Sequence, residues 1–152
     1  MYKYQPPNFL EKFNIDRVKY NHWLDRKSKS LYRRDIGRFK DLKEKYSRKS
    51  YKEAIHEAVI NSDGKDFYTG EVLQWSKISE YDNEKSSAQR GVYRKKFSYL
   101  PTVDHYDVES EILNFKICGW RTNDSKSDMS YIDYIKLCQL VLNENKRKRQ
   151  AT

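Results

Sequence analysis

Cysteine, proline and glycine are scarce in this chain, with two, three and five occurrences in 152 residues. Cys118 and Cys138 form no Cys-x-x-Cys pair, which leaves neither a disulfide framework nor a thiolate zinc site supported. They read as two reduced thiols packed as small apolar residues. No apolar run is long enough to span a bilayer, and no charged-then-apolar start resembles a signal peptide. A cytoplasmic location is therefore expected. Proline is absent from the whole stretch between Pro7 and Pro101, so long helices meet no obstacle there.

What is abundant is charge and aromatic surface. Charged residues make up 35% and mean hydropathy is −1.07, values that lean towards disorder. Aromatic content of 14%, with 13 Tyr and 3 Trp, leans the other way. The expectation is a single compact domain over 1–152 with a very polar surface. The net charge of +9 is concentrated: residues 17–49 hold 13 Lys/Arg against 4 Asp/Glu, and the remainder cancels. A neutral body with one basic arm favours a polyanion, nucleic acid before an acidic membrane.

The pattern along the chain predicts an α+β fold. Residues 1–14 read as an extended, partly docked lead-in. Asp16 can cap a helix with Tyr20, Leu24 and Leu31 near one face and Trp23 beside them, and Gly37 is placed to break or kink it. Ser50-Tyr51-Lys52-Glu53 has capping-box form, with Tyr51, Ala54, Ile55, Ala58 and Val59 following at helical spacing up to the Asp63-Gly64 turn. These helices form a basic region, 15–62. FYTGEVLQWSKI then predicts a short hairpin, and 79–91 a surface loop. KKFSYLPTVDH and LNFKICGW read as strands, a helical segment begins near Asn123, and Ser130 caps a last helix with Tyr131, Ile135, Cys138 and Leu142 along one side. The Lys146-Arg147-Lys148-Arg149 run is a frayed solvated tail, 146–152.

Asp104-His105 is followed at even spacing by Asn114 and Asn123, with Lys126-Ser127-Asp128 just beyond. A carboxylate and an amide oxygen suit a hard divalent cation, and an imidazole can accept a proton from water near neutral pH. That inventory is what metal-assisted phosphodiester hydrolysis needs. The pattern resembles the His-Asn-His (HNH, ββα-metal) endonucleases, in the variant that opens with Asp-His and closes with Asn. The resemblance covers about residues 63–145. The upstream WLDRKSKSLYRRD and DFYTGEVLQW also resemble segments that precede such a module in some bacterial and phage proteins.

The resemblance implies Asp104 and Asn123 as ligands of Mg²⁺ or Mn²⁺, His105 as general base and Asn114 as the residue that orients it. It implies a cation near the substrate backbone, for which Lys126 and Arg121 are both candidates. Arg33, Arg34 and Arg38 of the basic arm are expected to contact double-stranded DNA. Products would carry a 5′-phosphate and a 3′-hydroxyl, with a homodimer as one route to double-strand cleavage. Many members brace the module with zinc-binding cysteine pairs; here Phe67 and Tyr68 stand near that position, and no structural zinc is expected. Apolar packing by Trp75, Tyr99, Leu100, Phe115, Ile117 and Trp120 is expected in its place. Two other classes stay open. A non-catalytic nucleic-acid binder would use the same arm, and only the Asp104-His105-Asn123 set separates it from the nuclease. A peripheral membrane or adaptor protein would need a wider apolar face than this arm has.

Overall fold

The computed structural model describes residues 3–81, 83–107 and 113–151. The middle of the segment between Asp104-His105 and Asn114 therefore lies outside the described residues. The fold is mixed α and β, and the described residues hold one two-stranded antiparallel sheet. No described helix is long and apolar enough to cross a membrane.

Helix α1 spans Arg17–Arg38 and starts where Asp16 accepts a hydrogen bond from the Lys19 amide at 2.8 Å. That satisfies one of the amides left unpaired in a first helical turn. Its buried face carries Tyr20, Trp23, Leu24, Leu31 and, one turn further on, Asp35. Gly37 falls in the last turn, and the run to Tyr46 is broken just after it, as expected. A single turn, α2 (Leu42–Lys45), leads to α3 (Arg48–Ser62). The capping box of α3 is Ser47 with Ser50, one turn before the Ser50–Glu53 box the sequence suggests. Glu53 pairs with Lys3 at 3.1 Å instead, tying the lead-in to the helix. Tyr51, Ile55, Ala58 and Val59 of α3 are buried, and Asp63 (φ 49°) and Gly64 (φ 77°) take the left-handed turn that ends it.

The expected hairpin at 67–78 is reduced to one bridge between Lys65 and Val72. The cause is Asp66, whose buried carboxylate accepts from the Tyr68 and Thr69 amides at 2.8 and 3.1 Å. Those amides are thus satisfied without a strand partner. The other oxygen of Asp66 accepts from the Gly119 amide and the Thr122 hydroxyl, both at 2.7 Å. Gly119 is required by this close approach: a Cβ there would sit 3.1 Å from the Ser98 carbonyl and 3.2 Å from Asp66. One buried carboxylate thus clips the 66–70 turn to the end of the sheet.

Residues 79–91 depart from the surface-loop expectation. Helix α4 covers Asn83–Lys96 and runs through Gly91. Its Glu, Lys, Gln and Arg residues are good helix formers, and Tyr93 with Phe97 just beyond gives an aromatic pair at i, i+4 that packs on Tyr81. Strand β1 (Pro101–His105) pairs with β2 (Phe115–Gly119) in a register that sets Asp104 opposite Lys116 and His105 opposite Phe115. Helix α5 (Trp120–Lys126) follows β2 without a break, and α6 (Tyr131–Gln150) starts from the Ser130 cap.

The buried core runs from Trp23, Leu24 and Tyr51 through Trp75 to Val103, Phe115 and Ile117. The basic helical region is therefore built into the body and is not an appended arm. Trp75, Phe115 and Ile117 are buried as expected, while Tyr99, Leu100 and Trp120 stay half-buried.

Candidate active site

Successive residues of a strand point to opposite faces, so Asp104 and His105 meet different neighbours. His105 Nε2 lies 2.7 Å from Oδ2 of Asp35 on α1, and that oxygen also accepts from the Tyr51 hydroxyl at 2.8 Å. His105 Nδ1 lies 3.0 Å from an Arg34 guanidinium nitrogen. A guanidinium only donates, so Nδ1 carries the lone pair and Nε2 carries the proton given to Asp35. Burial pushes the Asp35 carboxyl up, but hydrogen bonds from His105 and Tyr51 and the Arg34 charge outweigh it and hold it below its ordinary value. The result is a carboxylate–imidazole pair whose basic nitrogen is held by Arg34.

Asp104 turns to α5. It accepts from the Tyr68 hydroxyl at 2.5 Å, and the Lys126 ammonium lies 3.2 and 3.4 Å from its two oxygens. Lys126 is fully buried and also donates to the His105 carbonyl at 3.0 Å. Burial raises the Asp104 carboxyl above its ordinary value, against the pull of Tyr68 and Lys126. The same burial, with the Asp104 charge, drives the Tyr68 hydroxyl far up, so Tyr68 stays a donor.

Asp104, His105 and Asn123 line one polar cavity of about 190 Å³ together with Arg34, Arg38, Asp124 and Asp128. Asn123 sits in the middle of α5, half-buried, and its amide group makes no hydrogen bond among the described residues. A second, larger hollow of about 470 Å³ lies along α1 between Arg26, Lys29, Ser30, Arg33 and Arg34. Arg34 borders both. A basic track therefore leads along the helix into the cavity.

The site residues expected from the sequence are thus partly gathered. Asp104, His105, Asn123, Arg34 and Arg38 share the cavity, and Arg33 lines the adjoining hollow. Three residues take other places. Lys126 is a buried counter-ion of Asp104 and not a cation open to substrate, because it is enclosed beneath the strand. Arg121 stacks on Tyr99 at 4.6 Å and is paired with Glu71, so its charge is neutralised away from the cavity. The exposed Asn114 side chain meets no described hydrogen-bond partner; its carbonyl accepts from the Tyr106 amide at 3.0 Å, and Asp35 holds the imidazole instead.

Asp35 and Tyr51, which hold His105 in place, are residues that the sequence pattern alone does not single out. The available signal was position: Asp35 is four residues after Leu31, on the apolar face of α1, where an acid demands a partner.

The donor set suits a hard divalent cation. An ionised carboxylate offers about four acceptor sites, of which Tyr68 and Lys126 do not exhaust the supply, and the Asn123 amide oxygen is free among the described residues. No group of three or more His, Cys, Asp or Glu side chains suited to a metal gathers among the described residues. A site of two oxygen ligands completed by water and phosphate is what Mg²⁺ tolerates. Compared with protein-family models, curated proteins and solved structures, the chain matches none.

Proposed function

We propose that the protein is a metal-dependent endonuclease of the HNH (ββα-metal) type that hydrolyses DNA, with β1, β2 and α5 as the catalytic module. The carrying observation is His105: its Nε2 is fixed by a buried carboxylate, its Nδ1 is held by Arg34, and both residues line the cavity that Asp104 and Asn123 also line. Asp104 and Asn123 would hold Mg²⁺ or Mn²⁺. When bound, the ion supplies Lewis-acid stabilisation of phosphate charge.

In this reading a backbone phosphate arriving along Arg26, Lys29 and Arg33 draws the Arg34 guanidinium onto its oxygens and so frees Nδ1. His105 Nδ1 takes a proton from water as the water oxygen bonds to phosphorus. The bond from phosphorus to the 3′ oxygen breaks, leaving a 5′-phosphate and, after protonation, a 3′-hydroxyl. Asp35 stabilises the imidazolium that forms, and Tyr51 keeps Asp35 in place. The cytoplasm, where both thiols remain reduced, is the proposed compartment.

The deciding assay is cleavage of plasmid DNA by the purified chain with Mg²⁺ or Mn²⁺, stopped by EDTA. The second reading, a nucleic-acid binder without catalysis, is favoured by the Lys126–Asp104 pair, which already gives Asp104 a cation. Intact plasmid across metals and DNA substrates would select it.

Asp35→Asn is expected to lower turnover by roughly 10–100-fold while DNA affinity stays within about twofold. An Asn amide can present N–H to Nε2, which places the imidazole proton on Nδ1. The same variant changes the acid limb of stability. The Asp35 pKa is lowered on folding, so its stabilising contribution is complete above the unfolded carboxylate pKa and is lost as pH falls through the folded one. Melting temperature against pH should therefore be flatter below about pH 4 in Asp35→Asn. Unchanged turnover in the variant would remove Asp35 from the mechanism.

The basic track makes a separate claim. Because Arg34 and Arg38 line the catalytic cavity, replacing them together with Arg33 would disturb both binding and chemistry. Arg26, Lys29 and Arg33 lie outside it and give the cleaner test. Their joint replacement by Gln should reduce the slope of log affinity against log salt by about 0.9 for each phosphate no longer neutralised. An unchanged slope, measured by fluorescence anisotropy on duplex DNA, would move the DNA path off this face.

A further inference from the structure

Helix α1 buries one face and leaves another basic. Arg26, Ser30, Arg33 and Gly37 recur at i, i+4, i+7 and i+11, with Lys29 and Arg34 beside them. All but Gly37 line the hollow along the helix. One turn beyond Arg34, Arg38 borders the catalytic cavity and also a third hollow of about 220 Å³ at the corner between α1 and α2. The three hollows form a row joined by Arg34 and Arg38, with the catalytic cavity in the middle. Outside that cavity the row holds Arg26, Lys29, Arg33, Lys40 and Lys45 against the single acid Asp41. Lys29, Arg33 and Lys40 have no ion-pair or hydrogen-bond partner among the described residues. Arg38 meets Asp128 at 3.6 Å across partly exposed surface, a pair weak enough for a phosphate to displace.

Gly37 lies at the centre of the stripe, and the fold does not require it. Its backbone is helical and its φ is not positive. A Cβ there would meet nothing within 4 Å. The helix is ended by Phe39, in an extended conformation (φ −119°, ψ 108°) open to any residue. Glycine inside a helix is destabilising relative to alanine. A position that costs stability, with no steric cause inside the chain, is one where the backbone of a ligand can come close.

We propose that one nucleic-acid strand crosses the catalytic cavity along this row, closest to α1 at Gly37 and seated on the far side by Arg38 and Lys40. Arg26 to Arg38 covers about 18 Å of helix rise, the length of about five base pairs. The strand is then held on both sides of the cavity, a geometry for cutting within a strand and not at its end. The proposal rests on the nucleic-acid partner that the nuclease and binder readings share, and not on cleavage.

Fluorescence anisotropy on duplex DNA in EDTA reads the claim without cleavage. Gly37→Leu should raise the dissociation constant by roughly 10–100-fold, and Gly37→Ala by less than about threefold. Both variants should melt at or above the wild-type temperature, because each replaces a helix glycine in open space. Lys40→Gln should lower the slope of log affinity against log salt by about 0.9, and that loss should add to the one from Arg26, Lys29 and Arg33. Wild-type affinity in Gly37→Leu overturns the close approach, and so does a lowered melting temperature, which would make the glycine structural. An unchanged slope in Lys40→Gln overturns the far-side seat. A wild-type chain without affinity for DNA overturns the shared partner itself. The expected losses in a chain that leaves plasmid intact with Mg²⁺ would uphold this path and remove the nuclease reading alone.

Discussion

His105→Ala is expected to reduce metal-dependent cleavage of plasmid DNA by about 10²–10⁴-fold, the range over which a positioned proton acceptor acts. DNA affinity should be little changed, since the basic hollow along α1 is formed by Arg26, Lys29, Arg33 and Arg34. The substitution also strips Asp35 of one partner. That carboxylate keeps the Tyr51 hydroxyl at 2.8 Å and Arg34 Nε at 3.5 Å, so the loss amounts to one charged hydrogen bond, about 1–3 kcal/mol. A melting curve taken beside the kinetics separates the two effects. At a temperature well below both transitions, turnover of His105→Ala equal to wild type would exclude His105 as the base. A Tyr51→Phe control is informative because it removes a bond to the same Asp35 oxygen and leaves the imidazole. It should cost stability in the same range and turnover far less.

Much of this geometry was legible before any fold was known, and what was hidden had a physical cause. Asp104, His105 and Asn123 could be grouped because strand and helix sit close along the chain and a single hairpin brings them together. Tyr20, Trp23, Leu24 and Leu31 were readable as a buried face because helical spacing is local information. The bond from His105 to Asp35 spans 70 residues, and nothing local to either partner encodes it. Lys126 shows the opposite failure. A lysine in a charged segment ordinarily stays in solvent, and only the proximity of Asp104 and the His105 carbonyl makes its burial tolerable. The α4 segment misled because its composition is polar; surface helices are polar on most of their circumference, and the pair Tyr93 and Phe97 lay at the edge of the stretch. On α6 the side carrying Ile135, Cys138 and Leu142 was visible, yet Ile135 and Leu142 stay exposed, because periodicity records a face and not what covers it.

The largest stability effect is expected at Asp104, and it complicates the usual test of a metal ligand. Asp104→Ala deletes the carboxylate from a fully buried ammonium, leaving Lys126 with the His105 carbonyl at 3.0 Å as its one remaining oxygen partner among the described residues. Breaking a buried pair from one side generally costs about 3–5 kcal/mol, because the surviving charge keeps its desolvation penalty. Tyr68 would lose its acceptor at the same time. A marginal domain can unfold on such a loss, so an inactive Asp104→Ala chain would say nothing about metal. The informative experiment is a cycle. Lys126→Met alone leaves Asp104 buried without its cation and should destabilise by a comparable amount. Asp104→Leu combined with Lys126→Met removes both charges and should recover most of the stability lost in either single variant, measured by urea unfolding. If Asp104 serves only as the partner of Lys126, the double variant should cleave DNA as the wild type does. If it also holds the divalent ion, the double variant should be folded, should bind DNA, and should remain inactive at any Mg²⁺ or Mn²⁺ concentration. Folding without cleavage is the expected outcome, and cleavage by the folded double variant would remove Asp104 from the metal site.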